Sequence, residues 1–260
     1  MSALLKVSGL CMRFGGLLAV DGVDFSVMQK EIFAIIGPNG AGKTTVFNCI
    51  SGFYQPTSGS IVVGAEDGAN GISIEGMPSH LVARHGLVRT FQNIRLFKNL
   101  TVLENLLVAQ HTQLRTGLLP GLLKLPSYRR SERAALDRAA YWLDQLGLRA
   151  LANRASGTLS YGLQRRLEIA RCMITKPRLL LLDEPAAGLN PQEKVELQQL
   201  IDRLRREHDV AVLLIEHDMS LIMGISDRIL VMEHGKPIVT GTPQDVRSDA
   251  RVIKAYLGEQ

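Results

Sequence analysis

The run Gly37-Pro38-Asn39-Gly40-Ala41-Gly42-Lys43-Thr44 fits G-x-x-x-x-G-K-[ST], between an apolar stretch, Ile32–Ile36, and a helix-forming stretch from Lys43 to about Ile50. That spacing is suited to holding phosphate. Glycines let successive backbone N–H groups curl around phosphate oxygens, and a helix N-terminus adds partial positive charge at the same point. Lys43 is the cation expected to reach the β- and γ-phosphates of a nucleotide. Thr44 is the hydroxyl expected to bind Mg2+, with Thr45 beside it in the phosphate-contacting set. A second constellation, Leu179-Leu-Leu-Leu182-Asp183-Glu184-Pro185, is an apolar strand ending in two acids. A buried strand delivers its last residue to the carboxyl end of an open α/β sheet, where ligands bind. There Asp183 is expected to hold Mg2+, directly or through water, and Glu184 to activate an attacking water. A chance Gly-rich turn and a solvated acidic turn are the plain alternatives, and finding both patterns in one chain weighs against each.

A third segment is Leu159-Ser160-Tyr161-Gly162-Leu163-Gln164-Arg165-Arg166, ahead of a helical face at Leu167, Ala170 and Ile174. Ser160 suits an N-cap. Ser160, Gly162 and a helix start together could form an anion site, and an ordinary capped helix is the plainer reading. Taken alone, His217 after Val210–Ile215 reads as a strand-end histidine, Phe14 as core, and Gln92 as uninformative.

These residues need elements to carry them. Leu4–Val7, Leu17–Val20, Phe25–Val27 and Ile32–Ile36 read as short strands separated by Gly and Asp turns, and residues 59–63 as another strand. Residues 64–76 read as a loop and His80–Gly86 as a short helix. From about Thr101 to Met173 the period is helical, with Leu136, Ala139, Ala140 and Leu143 on one face and Gly147 as a stop. Gly117–Tyr128 shows no clear period and reads as a loop or short helices. Strand and helix then alternate: Leu179–Leu182, a helical face at Leu197, Leu200, Ile201 and Leu204, then Val210–Ile215. The strand before His217 is expected two strands along from the Gly-rich loop. Ile229–Met232 and Pro237–Thr240 flank a His234–Gly235 hairpin turn, and Gln244–Tyr256 reads as one terminal helix. Such alternation implies a parallel sheet covered on both faces. The helical middle is then a lobe inserted into that core.

Composition supports a folded α/β protein. Of 260 residues, 46% are hydrophobic and 21% charged, which excludes long disorder and allows a core without disulfides. No apolar run is long enough for a membrane helix. The start, MSALLKVSGLCMRF, has neither the basic region nor the apolar core of a signal peptide, so a cytosolic chain is expected. Cys11, Cys49 and Cys172 are widely spaced, with no CxxC, and read as small buried hydrophobes. A net charge of +5 is compatible with a nucleic acid, an anionic membrane face or a nucleotide and chooses none of them.

In order along the chain, the Gly-rich loop, the Ser160/Gly162 helix start and the LLLLDEP strand resemble the ATP-binding cassette (ABC) ATPase family. By that resemblance the Ser160 segment is similar to the LSGGQ signature, with Tyr161 at its first glycine and Leu163 at its glutamine. Gln92 in Arg89-Thr-Phe-Gln resembles the Q-loop, which senses Mg2+ and links the core to the helical lobe. Ala187-Gly-Leu-Asn190 resembles the D-loop, with Asn190 where aspartate is usual. His217 resembles the switch histidine that contacts the γ-phosphate, and Phe14 the aromatic that stacks on adenine. Segments such as MRFGGLLAV, RTFQNIRLF, DEPAAGLNP and LLIEHDM further resemble ATPase subunits of bacterial branched-chain amino acid importers. The residues between Gln110 and Arg130 are similar to the longer helical lobe of those subunits.

The resemblance implies an α/β fold: a P-loop NTPase core with an N-terminal antiparallel β subdomain (about 1–92 with 174–260) and an inserted α-helical subdomain (about 93–173). It implies ATP and Mg2+ as ligands. ATP is expected between one subunit's Gly37–Thr44 loop and the Ser160–Gly162 start of a second cassette. It further implies integral membrane permease subunits, a periplasmic binding protein indirectly, and a peripheral place on the cytoplasmic face of the inner membrane. A nucleic-acid-directed cassette is disfavoured, since such proteins usually carry tandem cassettes or long coiled coils and this chain has one Gly-rich loop and no sustained heptads. A GTPase-like switch is disfavoured because no N/T-K-x-D base-reading motif is present.

Overall fold

The structure, a computed structural model, describes residues 3–64, 71–110 and 126–257. It divides into one unit of Met1–Gln92 with Arg178–Gln260, and a second of Asn93–Pro177.

In the first unit, β1 (Ala3–Phe14), β2 (Leu17–Met28), β4 (Ser58–Val63) and β5 (Ile72–Ser73) form an antiparallel sheet in the order β2-β1-β4-β5. Here the expectation of short strands broken by turns is corrected. The chain does turn at Gly15–Gly16, but two 12-residue strands run through Gly9, Asp21, Gly22 and Asp24, where the pairing shifts register at bulges instead of turning. At one shift the Gly9 N–H donates to Asp24 Oδ1 at 2.8 Å, and at another the Gly22 N–H meets Cys11 Sγ. Residues 64–76 are not all loop either: Ile72–Ser73 pairs with β4. Residues 65–70 lie outside the described residues.

The second sheet contains β3 (Ile32–Ile36), β6 (Leu87–Arg89), β7 (Leu179–Asp183), β8 (Ala211–Ile215), β9 (Arg228–Glu233) and β10 (Lys236–Gly241), in the order β10-β9-β3-β8-β7-β6. All its pairs are parallel except the β9–β10 hairpin. β3, β7 and β8 are buried along their whole length, as strands covered on both faces must be. β8 sits directly beside β3 and between it and β7, so the strand leading to His217 is the immediate neighbour of the one leading to the Gly-rich loop, not two strands away. One apolar core joins residues of both sheets, such as Leu5, Val27, Phe33 and Leu213, with Val46 and Phe47 of α1 (Lys43–Ile50).

Around these strands lie α2 (Ser79–Arg84), α6 (Pro191–His208), α7 (Met219–Ile225), α8 (Pro243–Ser248) and α9 (Ala250–Leu257). α6 starts on a capping box between Asn190 and Glu193 with Pro191 at its first position. The single terminal helix expected over Gln244–Tyr256 is instead two. Asp249 adopts an extended conformation, and its carboxylate accepts the Arg251 N–H at 2.8 Å, ending one helix and starting the next.

The second unit is helical: α3 (Val102–Ala109), α4 (Pro126–Gln145) and α5 (Tyr161–Met173), with buried Leu106, Ala139, Trp142 and Leu167 among its core side chains. Most of the Gly117–Tyr128 segment lies outside the described residues.

Candidate functional site

The loop between β3 and α1 closes on tight backbone contacts. At Gly37, with φ of +150°, a Cβ would lie 2.0 Å from the Met232 carbonyl oxygen. At Gly42, with φ of +93°, it would lie 2.5 Å from the Ala19 carbonyl oxygen. Glycine is required at both positions. Lys43 Nζ donates to the loop's own carbonyls, Gly37 O at 2.6 Å and Pro38 O at 2.9 Å. Burial pushes the Lys43 ammonium below its ordinary value, partly opposed by the Glu184 carboxylate. A cleft of about 480 Å³ opens over this loop. Its lining includes Asn39–Thr45, Glu184, Phe14, Leu17 and Leu18. Phe14 is 41% exposed and meets the Tyr54 ring edge-on at 5.3 Å, which leaves aromatic surface towards the cleft.

β7 brings the acids to this region. Asp183 ends the strand buried, and Glu184 follows with φ of +45°, a left-handed turn that side chains rarely adopt. The Glu184 N–H is held by Ile215 O at 2.9 Å. Gln92 Nε2 donates to Glu184 Oε2 at 3.0 Å. His217 is 66% exposed, and its Nδ1 stands 3.9 Å from Glu184 Oε2, beyond direct hydrogen bonding.

Among the described residues no three His, Cys, Asp or Glu side chains gather as a metal cage. Mg2+ does not require one, being held by one or two protein oxygens plus substrate phosphates. Thr44 exposed in the cleft and Asp183 at the strand end offer oxygens of that kind, as does the Gln92 side-chain carbonyl. These donors are of the types that Mg2+ takes.

Two partners escaped sequence reading. Arg89, on β6, donates to Asp183 Oδ2 at 2.7 Å, to Asn48 Oδ1 at 2.7 Å and to Ser51 Oγ at 2.8 Å. Its guanidinium also lies 5.5–5.7 Å from the rings of Phe47, Phe53 and Phe91. Glu216, between Ile215 and His217, is buried and turned towards the turn that follows Glu184. An arginine three residues before Gln92, amid aromatics, was the available signal for the first, and an acid directly after a wholly apolar strand for the second.

In the helical unit, Ser160 caps α5 and accepts the Leu163 N–H at 3.4 Å, and Gly162 lies in the first turn. Ser160 itself is exposed. Behind that turn Arg165 is buried, paired with Glu168 at 2.7 Å and donating to the Tyr161 hydroxyl at 3.1 Å.

Comparison with known proteins agrees with this geometry. Residues 20–187 match the ABC transporter family, across the Gly-rich loop, the acidic strand end and the helix start at Ser160. The chain belongs to the ABC transporter ATP-binding family. Residues 236–260 of this cassette also match the branched-chain amino acid ATP-binding cassette transporter family. The cassette is 60% identical over 256 residues, 98% of each chain, to the high-affinity branched-chain amino acid transport ATP-binding protein BraF of Pseudomonas aeruginosa. It is 59% identical, with the same coverage, to the corresponding protein LivG of Escherichia coli K12. A solved ATP-binding cassette of an ABC transporter in its ADP conformation superposes with a TM-score of 0.84 at 30% identity, covering 99% of this chain and all of that one.

Proposed function

We propose that this cassette is the ATP-hydrolysing subunit of a bacterial importer for branched-chain amino acids. The observation that carries the reading is identity of about three residues in five with BraF along nearly the full length of both chains. The match of residues 236–260 to the branched-chain family points the same way.

In this reading the N–H groups of Gly37–Lys43 and the Lys43 ammonium hold the phosphates of ATP, and Phe14 stacks on adenine. Thr44, Asp183 and Gln92 hold Mg2+, which when bound neutralises phosphate charge. Glu184 takes the proton of the attacking water, and His217 contacts the γ-phosphate. The water adds to the γ-phosphorus as the bond to the β-phosphate oxygen breaks, giving ADP and phosphate. Ser160 and Gly162 contact ATP bound to a second ABC ATPase subunit, so two cassettes close around nucleotide and the closure moves the permease. The contact between Gln92 and Glu184 supports this reading, since it links a proposed Mg2+ ligand to the proposed base. The absence, among the described residues, of any helix long and apolar enough to cross a membrane accords with separate permease chains on the inner membrane. The periplasmic binding protein would meet the permease, not this chain.

The cassette does not touch the solute, so the test is made on the assembly. Reconstituted in liposomes with its permease chains and binding protein, it should hydrolyse ATP faster when leucine, isoleucine or valine is supplied. Stimulation by another solute class alone would overturn the branched-chain assignment and leave the ATPase assignment standing.

A further inference from the structure

Glu216 has a side chain with 0% exposure, yet its carboxylate is tied to two separate turns. Oε1 accepts the Ala186 N–H at 2.6 Å, from the turn after β7. Oε2 accepts the His217 N–H at 3.1 Å and, at 3.5 Å, the Asp218 N–H, both from the turn after β8. Glu184 stands two residues before Ala186 in a left-handed conformation, and its carbonyl accepts the Ala187 N–H at 3.2 Å. His217 is mostly solvent-exposed, so its ring is located chiefly by its backbone, and Glu216 grips that backbone. The far side of the same turn is fixed by Asp218, which caps α7 and pairs with Lys194 of α6 at 2.6 Å.

A buried carboxylate is a costly way to satisfy three N–H groups. Burial pushes Glu216 above the usual carboxylate range in spite of those bonds. What it does supply is a rigid link between two turns, each bearing a group assigned to the reaction. A backbone carbonyl or a hydroxyl offers a single oxygen, whereas a carboxylate presents two oxygens to donors on opposite sides.

We propose that Glu216 is a positioning residue for ATP hydrolysis: one buried carboxylate cross-braces the turn after β7 and the turn after β8, and thereby fixes Glu184 and His217 relative to one another. This rests on the reading of Glu184 as the base. The brace acts on geometry alone and leaves the nucleotide's binding contacts on the Gly-rich loop untouched.

The test is a kcat-against-KM comparison. Glu216→Gln keeps the shape but replaces one acceptor oxygen by a donor, so one turn is released. In the reconstituted transporter its kcat should fall by about 10²-fold, the scale of an ångström's misplacement at a reacting centre. KM for ATP, and the affinity of the isolated full chain for a fluorescent ATP analogue, should change by less than about twofold. Adding Glu216→Gln to Glu184→Gln should slow hydrolysis by a smaller factor than Glu216→Gln does in the wild type. A Glu216→Gln variant with wild-type kcat overturns the proposal, as does loss of analogue binding in proportion to kcat. If melting shows that Glu216→Gln does not fold, Glu216→Asp decides. Its carboxylate is one methylene too short to span both turns, so a kcat fall at unchanged KM supports the brace and wild-type kcat overturns it. Glu184→Gln is measured in parallel: wild-type turnover in that variant rejects the base assignment itself, a result separable from any failure of Glu216.

Discussion

Arg89 and Asp183 form an ion pair at 2.7 Å with both side chains only 7% exposed, joining neighbouring parallel strands β6 and β7 at their carboxyl ends. The carboxylate assigned to Mg2+ is therefore located by a cation before any ion arrives, and the same guanidinium reaches α1 through Asn48 and Ser51. Removing one partner of a buried pair leaves the other charge without compensation, a loss of about 3–5 kcal/mol. Arg89→Met should lower the urea midpoint of the full chain accordingly. Arg89→Lys should cost less, because it keeps the charge but has no fork to reach three acceptors at once. Equal midpoints for Arg89→Met and wild type would show that the pair carries no net stability.

Lys43→Ala should abolish nucleotide binding. The ammonium is already directed into the Gly-rich loop through Gly37 and Pro38, and its buried setting strengthens its attraction for phosphate. Hydrogen bonds to charged groups contribute roughly 1.5–3 kcal/mol each, and Lys43 can make more than one. Titration with a fluorescent ATP analogue checks this, and unchanged affinity would remove Lys43 from the phosphate site.

What was legible in the sequence was local. The Gly-rich loop and the LLLLDEP strand announce themselves because a turn, a helix start and a buried strand each need particular residues at particular offsets. Ser160 was legible as a cap for the same reason. Gly22 was misread as a turn because a bulge draws on the same residues as a turn, and only cross-strand pairing distinguishes them. β6 has three residues, too few to show a period, and its strand character comes from pairing with β7. Arg89 and Glu216 went unassigned because their decisive partners, Asp183 and Ala186, lie 94 and 30 residues away in the chain. Long-range polar contacts of this kind leave no periodic trace.

Phe14→Ala should weaken ATP and GTP binding together. The ring lines the same cleft as the Gly-rich loop, and stacking on a purine face does not discriminate between bases. A loss of about 0.5–1.5 kcal/mol beyond buried area is expected for the stacking itself. Competition of each nucleotide against the fluorescent analogue measures it. Loss of ATP binding alone would mean that a base-edge hydrogen bond elsewhere selects adenine.

Glu216 also predicts a pH signature in stability. Its folded pKa is raised by burial above the usual value of 4.5. Its ionisation therefore penalises the fold, fully above the folded pKa, and the penalty fades as pH falls through the folded pKa towards the unfolded one. Glu216→Gln carries no such charge. The neighbouring His217, Asp218, Lys194 and Glu184 are common to both proteins, so the difference isolates Glu216. The melting temperature of the variant minus that of wild type should be most positive above the folded pKa of Glu216 and should shrink as pH falls below it. A gap that grows as pH falls contradicts the raised pKa.

Glu184 and Ser160 together test the two-cassette arrangement. Glu184 lines the cleft from the turn after β7 and accepts a hydrogen bond from Gln92 Nε2, and it is the residue proposed as the base. A positioned general base contributes about 10²–10⁴-fold. Glu184→Gln keeps the side chain's size and removes its basicity, so hydrolysis should stop with ATP still bound. If ATP joins two cassettes, the stalled complex should accumulate as a closed pair: a homodimer at high concentration, or a heterodimer when a second ABC ATPase subunit is supplied. Ser160 is exposed at the start of α5 in the helical unit and is assigned to the neighbour's nucleotide. Adding Ser160→Arg to Glu184→Gln should therefore abolish the pair while each monomer still binds ATP. Size-exclusion chromatography with ATP in Mg2+-free buffer, run with and without the second cassette, reads both outcomes. A double variant that still pairs with ATP as Glu184→Gln does would remove Ser160 from the shared site, and wild-type hydrolysis by Glu184→Gln in the assembled transporter would assign the base to another group.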